Sequence, residues 1–136
     1  MNIMKSIMVA ATGLRAQSSR MRVISENIAN AHSTAATPGG DPFRRKISTF
    51  KKAYDEELNA NTVVAGRIIK DQSAFELKYD PSHPAADDQG YIKLSNVNEL
   101  VEMADMREAQ RSYEANLNVI TSSRRMMSKT IDILNI

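Results

Sequence analysis

From Ile3 onward a row of positions recurs at alternating intervals of four and three: Ile3, Ile7, Ala10, Leu14, Gln17, Met21, Ile24, Ile28 and Ala31. Eight of these nine are apolar. A spacing that averages 3.5 residues is the seam of a coiled coil. The far end of the chain repeats the pattern through Met103, Met106, Gln110, Tyr113, Leu117, Ile120, Arg124, Met127, Ile131 and Leu134, where eight of ten are apolar.

Between the seams the character changes. Residues 32–42 are rich in Ser, Thr, Ala, Pro and Gly, and both Pro38-Gly39-Gly40 and Asp41-Pro42 are turn signals. Short β-prone runs follow at 46–50, 63–69, 75–79 and 91–94. In the third, Phe75, Leu77 and Tyr79 alternate with Glu76 and Lys78, the period of a half-buried strand, and Asp80-Pro81-Ser82-His83-Pro84 ends it. Residues 53–60 fit either a short helix or an ordered loop.

The pattern predicts a mainly α fold with a small β-containing insert. An N-terminal helix occupies 1–31, an irregular insert 32–96 and a C-terminal helix 97–136. Return of the chain through the insert makes the two long helices antiparallel neighbours in a coiled coil. A helix of about 28 residues is about 42 Å long. Its apolar stripe exceeds what the insert can cover, and Gln17, Gln110 and Arg124 interrupt the seams, so the pair should seek further partners. Lys5, Arg15, Arg22 and Glu26, like Glu108, Arg111, Arg125, Lys129 and Asp132, fall off the seams, as a solvated face or as contacts to neighbouring subunits. Ala11, Gly13, Ala16 and Ser18 are small and also off the seam, which permits close approach of another helix. Gly13 costs about 1 kcal/mol against alanine in a helix interior, so it either serves packing or has drifted at a tolerant site.

Composition agrees with helix seams. Tryptophan is absent and aromatic residues are 5%, while there are 8 methionines. The formal charge of +2 is too weak to predict a polyanionic partner. Arg44-Arg45-Lys46 and Arg124-Arg125 are too short, and lack the interleaved aromatics, for nucleic-acid binding. Absence of cysteine removes disulfides, thiolate metal sites and thiol catalysis together. The apolar start of the chain is broken by Gly13, Arg15 and Gln17-Ser18-Ser19-Arg20 too early for a cleaved signal. No window approaches the ~20 apolar residues of a membrane span, and the strict 3.5 period favours a protein partner over a membrane surface.

Candidate chemistry is sparse, and neither an enzyme nor a cofactor is expected. His83 lies among Asp80, Asp87 and Asp88, which could hold a metal or orient a base. Pro81 and Pro84 flank it, however, and a rigid turn with solvent-facing carboxylates is the more economical reading. His32 reads as a solvated loop residue. No Gly-x-Ser-x-Gly elbow and no phosphate-binding glycine loop occurs.

Three places resemble one family. Asn27-Ile28-Ala29-Asn30-Ala31 resembles the Asn-Ile-Ala-Asn motif of flagellar rod, hook and related axial proteins. Pro42-Phe43-Arg44-Arg45-Lys46, and Tyr79-Asp80-Pro81-Ser82-His83-Pro84 through Asp88, Gly90, Tyr91 and Asn96-Val97-Asn98, resemble segments of its proximal rod members. Arg111-Ser112-Tyr113-Glu114-Ala115-Asn116 resembles the Arg-x-Tyr-x-Ala-Asn motif of its last helix. Phe43 stands where tyrosine is usual, and Leu94-Ser95 where a proline is common.

The resemblance implies a non-enzymatic subunit of the bacterial flagellar basal-body rod. Such a subunit is exported through the flagellar type III apparatus without a cleaved signal. It assembles helically, in the periplasm-spanning rod, with itself and with FlgB, FlgF, FlgG and FliE, to transmit torque. The resemblance also implies packing roles for Asn27, Asn30, Tyr113 and Asn116 in an inner coiled-coil layer. Beside them stand the seam residues Ile3, Ile7, Leu14, Met21, Ile24 and Ile28 of the first helix, and Leu117, Ile120, Met127, Ile131 and Leu134 of the second. The alternative is a cytosolic coiled-coil adaptor or chaperone.

Overall fold

The structure is a computed structural model that describes residues 3–134. Its elements are α1 (Ile3–Ala29), β1 (Lys46–Asp55), β2 (Ala60–Lys70), β3 (Glu76–Tyr79), β4 (Tyr91–Leu94) and α2 (Glu99–Leu134). Slightly less than half of the chain is helical, in two long helices with small antiparallel sheets between them in sequence, the helix–insert–helix order that the hydrophobic pattern predicts.

Helix boundaries follow from capping chemistry. α1 stops at Ala29 because the last amides tighten: Asn30 N–H donates to the carbonyls of Glu26 and Asn27, and Ala31 N–H to that of Ile28. The Asn30 side chain adds a second bond to the Glu26 carbonyl, donating to it at 2.8 Å. The final member of the first seam, Ala31, therefore lies in a turn. α2 starts behind Asn98, whose Oδ1 accepts from the amides of Leu100 at 3.1 Å and Val101 at 3.3 Å. Glu99 and Glu102 add negative charge to its first turn.

β1 and β2 form one two-stranded sheet, β3 and β4 a second. Residues 53–60, which sequence left open between helix and loop, are the tip of the first sheet: the end of β1, a turn and the start of β2. Asp55 Oδ1 accepts from Leu58 N–H across that turn. Asn59 adopts a φ of 45° there, a conformation asparagine tolerates better than most residues. Its carbonyl accepts from Lys5 and its side chain from the Tyr54 hydroxyl.

The second sheet corrects one expectation. In its register Tyr79 faces Tyr91, Lys78 faces Ile92 and Leu77 faces Lys93, so Leu77, Tyr79, Tyr91 and Lys93 share one side and Ile92 and Leu94 the other. Ile92 is 4% exposed, whereas Leu77 and Tyr79 are 60% and 63% exposed. A two-stranded ladder has one face to bury, and Ile92 with Leu94 takes it. Of the alternating trio only Phe75 is half-covered, with the Arg44 guanidinium 4.1 Å above its ring.

Two compact units divide the chain, one from residues 3–21, 48–67 and 107–134, the other from Arg22–Ile47 and Ile68–Met106. The buried residues of the first are small: Ala10, Ala16, Thr62, Ala109 and Ser123. There Gly13 lies so near α2 that a Cβ on it would come within 2.9 Å of Asn116 Nδ2. Arg20 and Glu108 stand 3.7 Å apart in the same unit. The second unit buries Val23, Ile24, Ala31, Ala85 and Ile92, together with the polar Asn27, Ser95 and Glu102.

Candidate functional site: a buried polar clasp

The second unit is organised around side chains from three parts of the chain: Asn27 on α1, Arg45 and Lys46 where the chain enters β1, and Glu102 on α2. Asn27 and Glu102 are each 1% exposed. A buried amide and a buried carboxylate persist only if every polar atom is paired.

The pairing is complete on both. Asn27 Oδ1 accepts from Lys46 N–H at 2.9 Å, while its Nδ2 donates to the Lys46 carbonyl at 2.8 Å and to Glu102 Oε2 at 3.0 Å. The other carboxylate oxygen, Glu102 Oε1, accepts from Arg45 Nε at 2.6 Å. Arg45 continues outward, with Asp71 at 3.5 Å and Asp105 at 3.6 Å from its terminal nitrogens. Burial pulls the Arg45 pKa down, but bonds to Glu102 and Asp71 outweigh it and hold the guanidinium pKa above its ordinary value. Lys46 Nζ reaches Glu26 at 2.8 Å, which lowers the Glu26 pKa.

A shell of backbone bonds locks the segment. Asn96 Oδ1 accepts from Arg45 N–H at 2.7 Å, and the Arg45 carbonyl accepts from Asp71 N–H at 2.8 Å. Arg44 and the Asn96 amide both donate to the carbonyls of Asp71 and Ser73. The backbone and hydroxyl of Ser73 bond to Asp71 and depress its pKa, with Arg45 adding to the effect. Every charged group is spent on a structural bond, which suits a fixed joint between helix ends and insert.

His83 is engaged in local structure, while His32 is a solvated loop residue with its side chain 88% exposed. His83 Nδ1 accepts from Ala85 N–H at 3.1 Å inside the proline turn. His32 Nε2 lies 2.8 Å from Glu99, a partner that sequence separation hid. Among the described residues no group of three or more acidic or histidine side chains is arranged to hold a metal ion. No helix among them is long and apolar enough to cross a membrane.

The seam residues divide. Ile24 and Asn27 are buried; Ile3, Ile7, Leu14, Met21, Ile28 and Asn30 on the first side, and Tyr113, Asn116, Ile120 and Met127 on α2, are half-buried. Leu117, Ile131 and Leu134 are 47%, 52% and 79% exposed. The covered stripe of α2 runs through Glu102, Ala109, Asn116 and Ser123, seven residues apart, interleaved with Met106, Tyr113, Ile120 and Met127. It shares four positions with the apolar seam and lies one residue earlier at the others. At Asn116 this stripe meets Gly13, where a Cβ would come within 2.9 Å of the amide nitrogen. Glu102, Asp71 and the offset itself were missed by sequence reasoning; for the offset, small or polar residues recurring every seven positions at 102, 109, 116 and 123 were the available signal.

This geometry defines a class: two long helices with exposed apolar residues and an insert clamped at a fixed joint make a structural assembly subunit. Comparison with known proteins agrees. Residues 7–35 match the family described as flagella basal body rod protein, and residues 88–133 the C-terminal family of flagellar basal body rod FlgEFG proteins. The chain is 51% identical to the flagellar basal-body rod protein FlgC of Agrobacterium fabrum over 93% of its length and 91% of the relative's. It is 43% identical to that of Borreliella burgdorferi over 98% and 99%, and 36% identical to that of Salmonella typhimurium over 92% of each. The chain belongs to the FlgC family of flagellar basal-body rod proteins, structural subunits of the rod.

Proposed function

We propose that the chain builds the proximal rod by helical assembly with copies of itself and with the rod proteins FlgB, FlgF, FlgG and FliE. It reaches the periplasm-spanning rod through the flagellar type III apparatus, without a cleaved signal, and there transmits torque. In this reading the segments 1–31 and 97–136 pair as an antiparallel coiled coil and 32–96 is carried as an insert.

The observation that carries the proposal is the row of exposed apolar side chains on α2, Met103, Leu117, Ile131 and Leu134, which needs covering by neighbours. What supports antiparallel pairing is the running order of contacts: Gly13 with Asn116 and Arg20 with Glu108 in one unit, Asn27 with Glu102 in the other. A clamped joint suits torque, because a polar network with every group paired resists reorientation.

The test is recovery of the chain in isolated basal bodies from a flagellated cell that lacks its own copy, with swimming restored. Retention of the chain in the cytosol of such a cell, with its export apparatus intact, would overturn the reading.

A further inference from the structure

The outward face of the β3–β4 ladder carries an apolar cluster that the clasp does not use. Tyr79 and Tyr91 pack edge to face with ring centroids 5.2 Å apart, and Leu77 lies beside them on the same side. Tyr79 is 63% exposed, so the pair is presented outward. Its rim is acidic. Asp80 continues β3, and Asp87 accepts from Tyr91 N–H at 2.9 Å, with exposed Asp88 next to it. Lys93, the cation on that face, is neutralised by Asp41 at 2.7 Å. The Ser82 hydroxyl bonds to Asp80 and, with smaller help from Lys78 and His83, holds its carboxyl below the ordinary range.

A complement to this face exists on the same chain. Near the end of α2, Arg125, Met126, Lys129 and Ile133 fall within about 100° of one another at 3.6 residues per turn. All four are exposed; Met126 is 53% and Ile133 72% exposed. Asp132 stands at the margin of this stripe as its acidic member. Two cations beside two apolar side chains match an aromatic centre with a carboxylate rim. Guanidinium and ammonium groups are attracted to tyrosine faces, and methionine sulfur to ring edges.

We propose that the Tyr79–Tyr91 face of one copy receives the Arg125–Ile133 stripe of a second copy. The two surfaces differ, so the contact is heterologous and propagates into a ring or helix rather than closing a two-fold dimer. The proposal rests on the rod reading and names one of its contacts.

The chain contains no cysteine, which makes thiol pairing a clean test. Full-length Asp88→Cys and Arg125→Cys chains are co-expressed in a flagellated cell lacking its own copy, basal bodies are isolated, and mild oxidation is applied. A disulfide-linked dimer from the mixture, and from neither variant alone, is the expected result. Asp88→Arg should weaken incorporation several-fold, and Asp88→Arg combined with Arg125→Glu should restore it. Normal incorporation of both cysteine variants without a cross-link overturns the contact and leaves the rod reading standing, as does cross-linking only to a different rod protein. Absence of the unmodified chain from basal bodies overturns the rod reading itself.

Discussion

Asn27 holds Lys46 by both of its backbone polar groups, accepting from the amide at 2.9 Å and donating to the carbonyl at 2.8 Å, as a neighbouring strand would. One side chain thus continues the β-ladder pattern from a helix and fixes where β1 begins. Its spare amide hydrogen goes to Glu102, so the first helix, the insert and the last helix meet at one residue.

Asn27→Ala should cost about 2–3 kcal/mol, because it leaves buried backbone groups and one carboxylate oxygen without a partner. Asn27→Asp should cost more at neutral pH, since it sets a second carboxylate against Glu102. Denaturant midpoints for Asn27→Ala, Glu102→Gln and the double variant check the coupling. An interaction energy above about 1 kcal/mol is expected for groups in one network, and additivity would count against the clasp.

Much of this was legible in sequence, and the boundary is physical. Periodicity located both helices, since an apolar stripe is a property of local order. Turn chemistry bounded β3 after Tyr79, but β1 runs on to Asp55 and β2 begins at Ala60, beyond the 46–50 and 63–69 read from sequence, because the turn between them carries no proline or glycine signal. The face buried by β3 was misread because Leu77 and Tyr79 carry the stronger local signal, while Ile92 on the partner strand decides the outcome. Residues of the clasp lie up to 75 positions apart, as Asn27 and Glu102 do, and no spacing rule joins them. Asn27 was reached only through the resemblance, and Arg45 through the resemblance and as a basic cluster too short for a polyanion. Glu102 stood in the first turn of α2 with nothing local to single it out.

Gly13→Ala tests the close approach at α2. Helix propensity alone favours alanine by about 1 kcal/mol, but a Cβ at 2.9 Å from Asn116 Nδ2 demands that the amide move. That amide donates to the Ser112 carbonyl at 3.0 Å, so moving it loses a bond. Gly13→Ala should therefore be no more stable than the parent, and Gly13→Val less stable by about 2 kcal/mol through overpacking. Thermal melts of the three chains decide it; a raised midpoint for Gly13→Ala would show that the helices have room.

Acid should loosen the joint. The Asp71 carboxyl is held below its ordinary pKa by Ser73 and Arg45, and Glu26 by Lys46. A carboxyl with a lower pKa folded than unfolded contributes stability that is complete above the unfolded value, about 4, and is lost as pH falls through the folded value. The stability difference between the parent and Asp71→Asn should be present at pH 7 and fade as pH falls below the ordinary carboxylate range and through the lowered folded value. A difference that persisted at low pH would mean that Asp71 acts through packing rather than charge.

The exposed row on α2 separates folding from assembly. Leu117 and Ile131 are half exposed in the single chain, and the aliphatic stem of a lysine can cover the packed half while its ammonium reaches water, so Leu117→Lys and Ile131→Lys leave most of that burial in place. Exposed substitutions of this kind usually change stability by less than about 0.5 kcal/mol. In a rod, however, each would place a cation into an apolar contact with a neighbouring helix, where an unpaired charge is costly. The expected outcome is a chain with the parent's melting midpoint and helix content that fails to enter basal bodies and leaves cells unable to swim. Tyr113→Ala should do the reverse: Tyr113 is half-buried on the covered stripe, so its loss lowers the melting midpoint directly. If the lysine variants instead unfold the monomer, the covered and exposed stripes of α2 are one surface, and the offset between them carries no assembly role.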